Sequence, residues 1–501
     1  MPFDPMPFAA RPFDAMSFDA GTLFIDGKWQ AADGDLTFEV TDPATGEVIG
    51  TASDAGAGET ARAIAAASDA LPSWSQETAY RRAEVLWAAH DLMVERTEDL
   101  ARLMTLEQGK PLKAARNEVR YAADFLAWFA EQAKRVYGQT IPSSRNDHRF
   151  MVLKQPVGVV AAITPWNYPM SMITRKLAPA VAAGCTMVLK PAEQTPWCAA
   201  AVFQVLEDAG LPRGVANLVT TSRPAEVGDR LLDDATVRKL TFSGSTEVGK
   251  LLAARAAATM KRVSLELGGH APMVVFDDAD PVHAAKGASL VKFLNTGQAC
   301  ISPNRIYVQR GIAERFTEAL VARTSALVAG RGEEPKVGIG PLVDQAALDK
   351  VQRQVDDAVA RGARLLHGGH RLVDDGLDRG FFFAPTVLAD VDESMVIYHE
   401  ETFGPVAAVI EFDTEDEVIA KANDTEYGLA SYIYTHDLSR AVRVSEALRF
   451  GIVGVNDINP TGAQAPFGGT GVSGLGREGG AEGIDEYLDV KLVGLLLSSE
   501  K

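Results

Sequence analysis

Cysteine is scarce in this chain, with three in 501 residues: Cys185, Cys198 and Cys300. Three thiols cannot build a disulfide framework, and their spacing suits no metal site, so no metal is expected. A reducing compartment fits this usage, and a cytoplasmic location is expected. Basic residues are also in short supply: 49 Lys and Arg stand against 67 Asp and Glu, for a net charge of −18. A protein that neutralises phosphates needs clustered cations, so nucleic acid is excluded as a partner. No apolar run is long enough and free enough of charge to span a bilayer, which excludes a membrane partner. The first twenty residues lack the basic start and apolar stretch of a signal peptide; residues 1–20 are expected to form a disordered tail. Neither Gly-x-Gly-x-x-Gly nor a Walker motif is present.

What is present is a globular composition, 47% hydrophobic and 23% charged, in a length that suits two or three domains. Short strands with turn signals open the folded part near Leu23. Residues 59–132 carry apolar positions at helical period, punctuated into separate helices at Leu71-Pro72 and at Gly109-Lys110-Pro111. An extended stretch, 148–155, leads into alternating strands and helices. VGVVAAIT (157–164), TMVLKP (186–191), ANLVT (216–220) and VRKLTFSG (237–244) read as buried parallel strands. Ligands bind such sheets at the carboxyl ends of the strands. A second α/β section follows RVSLELGG (262–269), with FTEALVARTSALVAG (316–330) as one of its helices. The apolar terminal stretch YLDVKLVGLLL (487–497) predicts an edge strand that pairs with another subunit.

Chemistry concentrates near strand ends. Cys300 lies in NTGQACISPN, where glycine frees the backbone and amides offer donors to an oxyanion beside a thiolate. Cys185 and Cys198 read as small buried hydrophobes. Glu266 stands among Leu265, Leu267 and Gly268-Gly269; apolar neighbours raise a carboxylate's pKa towards that of a general base, although taken alone a surface glutamate or a strand-end ion pair is the plainer reading. FSGSTEVGK (242–250) follows a strand and opens a helix. Gly244 permits close approach, and Ser245 or Thr246 can cap that helix while leaving amides for a pyrophosphate, with a capping box to Glu247 as the plain alternative. Lys190 and Glu193, just past a buried strand, offer a donor and an acceptor to ribose hydroxyls.

Taken together, PWNYP (165–169), KPAEQTP (190–196), FSGSTEVG (242–249), LELGG (265–269), GQAC (297–300), EETFGP (400–405) and PFGGTGVSGLGREGG (466–480) resemble, in order and spacing, the aldehyde dehydrogenase superfamily over about residues 21–497. ITRK (173–176), YGQTIP (137–142) and GREGG…GIDEYL (476–488) look most like its succinate-semialdehyde dehydrogenase group. The resemblance implies an α/β fold with a parallel-sheet NAD-binding domain over 21–141 and 158–267. It implies a catalytic domain over 268–483, an oligomerisation segment over 142–157 and 484–501, and a homodimer or homotetramer.

By similarity, Cys300 would attack the aldehyde, and Asn167 with the Cys300 N–H would hold the oxyanion. Glu266 would activate the water that hydrolyses the thioester, with Lys176 and Glu478 in a proton relay. Trp166, Lys190, Glu193, Gly244, Ser245, Leu267, Glu401 and Phe403 would contact the cofactor, Glu401 through the nicotinamide ribose. NAD is expected ahead of NADP, because a 2′-phosphate would meet the Glu193 carboxylate. Arg175 matches the first of two arginines that bind a distal carboxylate in the semialdehyde group. The second position is Leu294, and the loop 457–469 has no clear match to that group's serine-containing loop. The small-molecule substrate is therefore either an ω-carboxy aldehyde such as succinate semialdehyde or a less polar aldehyde seated against a buried leucine. A CoA-acylating enzyme has no need of Glu266, and a non-catalytic paralogue has no need to retain Cys300, Glu266 and Asn167. Ser302, where some relatives carry a second cysteine, leaves no partner for a redox latch.

Overall fold

The computed structural model describes residues 21–497; the expected tail, 1–20, and the last four residues lie outside the described residues. Two sheets organise the chain. The first runs Lys28–Gln30, Leu23–Ile25, Ala216–Leu218, Thr186–Lys190, Val159–Ile163, Val237–Ser243, Arg262–Glu266, Gly474–Leu475. Its five central strands are parallel. Val159–Ile163 is the first of the five in sequence, and the next two lie to one side of it and the last two to the other. The order therefore reverses beside Ile163, and such a reversal opens a crevice at the strand ends.

These strands are almost continuously apolar because both faces are covered. Helices Ala79–Glu95, Thr97–Gln108, Leu112–Ala133, Ser171–Ala183 and Pro196–Asp208 pack one face, and Ala57–Gln76, Pro224–Asp233 and Thr246–Ala258 the other. The expected break at Leu71-Pro72 does not occur. Ala57–Gln76 continues through Pro72, and Trp74, 1% exposed, anchors the turn beyond it. A proline removes one helical hydrogen bond, and burial of a large ring offsets that cost.

The second sheet, Arg364–His367, Thr386–Ala389, Val406–Phe412, Pro303–Gln309, Ala271–Val275, Ala430–Tyr434, Ile452–Val455, is parallel apart from its first pair. Apolar clusters fill both of its faces. The helix expected over 316–330 spans Arg310–Ser325 and gives way to a short strand, Val328–Ala329. A third, three-stranded sheet pairs Leu488–Leu496 with His148–Pro156, and that strand with Gln139–Ile141. The terminal strand thus finds one partner within its own chain and keeps its other edge open. No described helix is long and apolar enough to cross a membrane.

Candidate active site

The carboxyl ends of the first sheet's strands deliver the predicted residues to one place. Ile163 pairs in register with Lys190 and Phe242, and Ser243 with Glu266. The turn after Ile163 carries Trp166 and Asn167, and the turn after Ser243 carries Gly244 and Ser245. Side chains far apart in sequence therefore rise from one crevice because the strands beneath them are in register.

Gly244 has no room for a side chain: a Cβ there would lie 2.5 Å from the Phe242 ring. Ser245 caps Thr246–Ala258, its Oγ accepting from the Val248 N–H at 3.3 Å. The first-turn amides of that thirteen-residue helix face the crevice mouth, an arrangement that suits a pyrophosphate. Leu267 packs beneath the helix at Gly249, where a Cβ would approach its Cδ2 to 2.4 Å. Lys190 Nζ donates to Glu193 Oε2 at 2.9 Å. Across the crevice, Trp166 and Phe403 meet edge to face with centroids 5.6 Å apart. Glu401 Oε1 accepts the Gly269 N–H at 2.9 Å, and burial pushes its carboxyl up to about 7. A Cβ on Gly268 would come to 3.0 Å from Glu401 Oε2 and 3.2 Å from Thr246 Oγ1. Glu401 and the start of the capped helix therefore line one narrow space, which the absence of a side chain at Gly268 keeps open.

Cys300 sits at the end of an unusual loop. Asn295, Thr296 and Gly297 all take left-handed backbone angles, with φ of 48°, 61° and 77°. Two of these are not glycine, so the loop holds strain that its surroundings must maintain. They do so through side chains: Thr296 Oγ1 and Gly340 exchange two hydrogen bonds, at 3.2 and 3.0 Å. Gln298 donates to the Pro341 carbonyl at 3.2 Å and accepts from the Val343 N–H at 3.0 Å. Gly269 lies directly behind Cys300, since a Cβ there would strike the Cys300 carbonyl.

Glu266 and the Cys300 thiol are buried neighbours that act on each other's charge, and Glu266 Oε1 has no hydrogen-bond partner. Burial raises the Glu266 pKa, opposed by Arg175. Burial and the neighbouring carboxylate hold the thiol well above its ordinary value. The same burial and the repulsion between like charges disfavour ionisation of both groups at once. The Asn167 Nδ2 donates to the Gln298 carbonyl at 3.1 Å, which brings the expected oxyanion donor to the loop of Cys300.

Lys176 Nζ bonds Ser243 Oγ at 2.6 Å and ion-pairs with Glu478. Burial alone would raise Glu478, but Lys176 and Arg175 outweigh it and keep the carboxyl below its ordinary range. Arg175 Nε lies 3.0 Å from Glu478 Oε2, and its guanidinium stacks 4.0 Å from the Phe467 ring centroid. Its Nη1 meets only the Met172 sulfur, and its buried Nη2 has no hydrogen-bond partner. Leu294 departs from expectation: it is 41% exposed, because it begins the short helical turn at the loop's outer rim. Lys110, Glu118, Asn295 and Gln298 were not singled out in the sequence, although all are buried around Asn167. The one signal was Lys110 itself, a cation beside a helix-ending glycine.

Comparison with known proteins agrees with this geometry. The aldehyde dehydrogenase family model matches residues 29–493. The chain is 53% identical to a glutarate-semialdehyde dehydrogenase of Pseudomonas putida, over 93% of this chain and 96% of that protein. It is 52% identical to an NADP(+) succinate-semialdehyde dehydrogenase of Escherichia coli, over 93% and 96%. A crystal structure of an E. coli NADP-dependent enzyme superposes with a TM-score of 0.93 at 51% identity, covering 95% of this chain and 98% of the other.

Proposed function

Since the chain belongs to the aldehyde dehydrogenase family, we propose that it oxidises an aldehyde with an anionic far end, such as succinate or glutarate semialdehyde, to the acid through a Cys300 thioester. The observation that carries this reading is that Asn167 Nδ2 reaches the Cys300 loop at the Gln298 carbonyl, 3.1 Å away, beside a buried Glu266 whose Oε1 has no hydrogen-bond partner. Glu266 takes the thiol proton, and sulfur adds to the aldehyde carbon to form a C–S bond. The carbonyl π electrons move to oxygen, where the Asn167 amide and the Cys300 N–H receive the charge. A nicotinamide coenzyme would supply the hydride acceptor that oxidation of this adduct to a thioester needs. Trp166 and Phe403 wall the crevice, Glu401 would hold ribose hydroxyls, and the Ser245-capped helix would hold the pyrophosphate. Glu478 and Lys176, whose charges act on Glu266, carry its proton outward. Glu266 then takes a proton from water, hydroxide adds to the thioester, and collapse expels the Cys300 thiolate with the carboxylic acid.

NAD is the proposed coenzyme. Glu193 accepts a ribose 2′-hydroxyl, whereas a 2′-phosphate would face its charge, although Lys190 beside it offsets part of that repulsion. The unpartnered Arg175 Nη2 supports a carboxylated substrate. A second reading, a less polar aldehyde, draws support from Glu478 already sharing the Arg175 charge. One kinetic matrix tests these readings: kcat/KM for succinate semialdehyde, glutarate semialdehyde, hexanal and benzaldehyde, each with NAD and NADP. The expected result is a preference for the semialdehydes and for NAD, each of about tenfold or more. Cys300→Ala should lower turnover by about a thousandfold or more. Glu266→Gln should slow steady-state turnover by roughly a hundredfold. Equal rates on hexanal would favour the second reading, a clear NADP preference would overturn the coenzyme assignment, and stimulation by CoA would replace hydrolysis with acyl transfer.

A further inference from the structure

Asn167 is held from behind by groups that the mechanism above does not use. Its backbone carbonyl accepts two side-chain donors, Lys110 Nζ at 2.8 Å and Asn295 Nδ2 at 2.9 Å. Lys110 reaches it from the loop that leaves the Thr97–Gln108 helix through Gly109, whose φ is 85°. Its side chain is 1% exposed, lies 4.3 Å from the Tyr168 ring centroid and is ion-paired with Glu118, also 1% exposed, on Leu112–Ala133. Glu118 Oε1 in turn accepts the N–H groups of Met170 at 3.1 Å and Ser171 at 3.3 Å. Those amides open the Ser171–Ala183 helix. One buried pair therefore grips the turn 167–171 at both ends, Lys110 at the carbonyl of Asn167 and Glu118 at the helix start.

Stability is a poor reason to keep such a pair. Desolvating two charges costs about as much as their attraction returns, and well-packed apolar residues often serve as well. What an apolar pair cannot do is hold a carbonyl in a set direction. The Asn167 peptide plane fixes the direction in which its Cα–Cβ bond leaves the chain, and with it the reach of the side-chain amide.

We propose that the Lys110–Glu118 pair is a positioning pair that aims the Asn167 amide at the substrate oxygen over Cys300. Lys110 and Glu118 touch neither substrate nor sulfur and act through Asn167. The inference rests on the oxyanion role proposed for Asn167, and the test separates the two.

The experiment is a double-mutant cycle read by the pre-steady-state burst of reduced coenzyme with succinate semialdehyde. Its members are the wild type, Lys110→Met/Glu118→Gln, Asn167→Ala and the triple variant. The amide that Glu118→Gln introduces retains an acceptor for Met170 and Ser171, so the neutral pair leaves no buried charge unpaired. The expected result is a burst slowed on the order of 10- to 100-fold by the neutral pair, the scale of a displaced catalytic group, with coenzyme Kd unchanged. In the Asn167→Ala background the same two changes should slow it by less than about twofold, since there is no amide left to aim. Equal slowing in both backgrounds, or none in either, overturns the inference and leaves the Asn167 assignment standing. If Asn167→Ala alone leaves the burst intact, the oxyanion reading falls and this one falls with it. Lys110→Arg, which keeps the charge but presents a planar fork, repeats the cycle with the same criteria should the neutral pair fail to fold.

Discussion

Arg175 and Leu294 divide the substrate question between them. A buried guanidinium with one free nitrogen and one carboxylate already beside it is a half-used anion receptor. Capture of a second carboxylate depends on the Nη2 that still lacks a partner. Arg175→Met, which keeps much of the volume, should lower kcat/KM for succinate semialdehyde by about tenfold or more while sparing hexanal. Leu294→Arg, at a 41% exposed rim position, should move the same ratio in the opposite direction with little change in Tm. Steady-state kinetics on the two aldehydes checks both; parallel losses on hexanal would show that Arg175 only supports Glu478. At this scale the motifs were legible because each is a short local run: GQAC, LELGG and PWNYP hold their functional residue and its backbone geometry together. Lys110 was not, because its meaning depends on a carbonyl 57 residues away. The burial of Leu294 was misjudged for a related reason. Apolar character says nothing of which side of a turn a residue occupies.

Among the elements, the Pro196–Asp208 helix begins on a buried acid. Glu107 accepts the Trp197 N–H at 2.6 Å and the Cys198 N–H at 2.8 Å. Burial nevertheless lifts its carboxyl from 4.5 to about 7, these two donors offsetting only part of the cost. A carboxyl raised on folding contributes its stability fully below the unfolded value near 4.5 and loses it as pH climbs towards about 7. Glu107→Gln, neutral throughout, should therefore gain on the wild type between those pH values, by up to roughly 3 kcal/mol. Urea unfolding at a series of pH values measures the difference; a gap that stays constant with pH would locate the Glu107 pKa elsewhere. Strands were the most legible elements, since continuous apolar runs leave few alternatives. Helix limits were less so: Pro72 is a strong local breaker, yet the pocket that buries Trp74 decides where that helix stops.

For the whole molecule, the open edge of the third sheet is the feature that points outward. Leu488–Leu496 exposes Val490, Leu492 and Leu496, each more than 60% accessible, along a strand whose backbone is paired on one side only. Such an edge is a template for a second copy of the same strand. Val490→Lys with Leu492→Glu should shift the protein to monomers in light scattering while near-native far-UV circular dichroism remains; an unchanged mass would place the subunit contact elsewhere. The residues themselves indicated an outward-pairing strand, and only the family resemblance grouped it with 142–157, which holds its inner neighbour, because β-pairing across hundreds of residues leaves no local trace. The loop that leads to Cys300 is stitched to 340–343 on one flank and meets Asn167 on the other, so the proposed reaction centre is divided between the two large sheets. Neither half owns the chemistry. Wear in either one would first be felt as lost speed, in a protein that still looks whole by every measure of its folding.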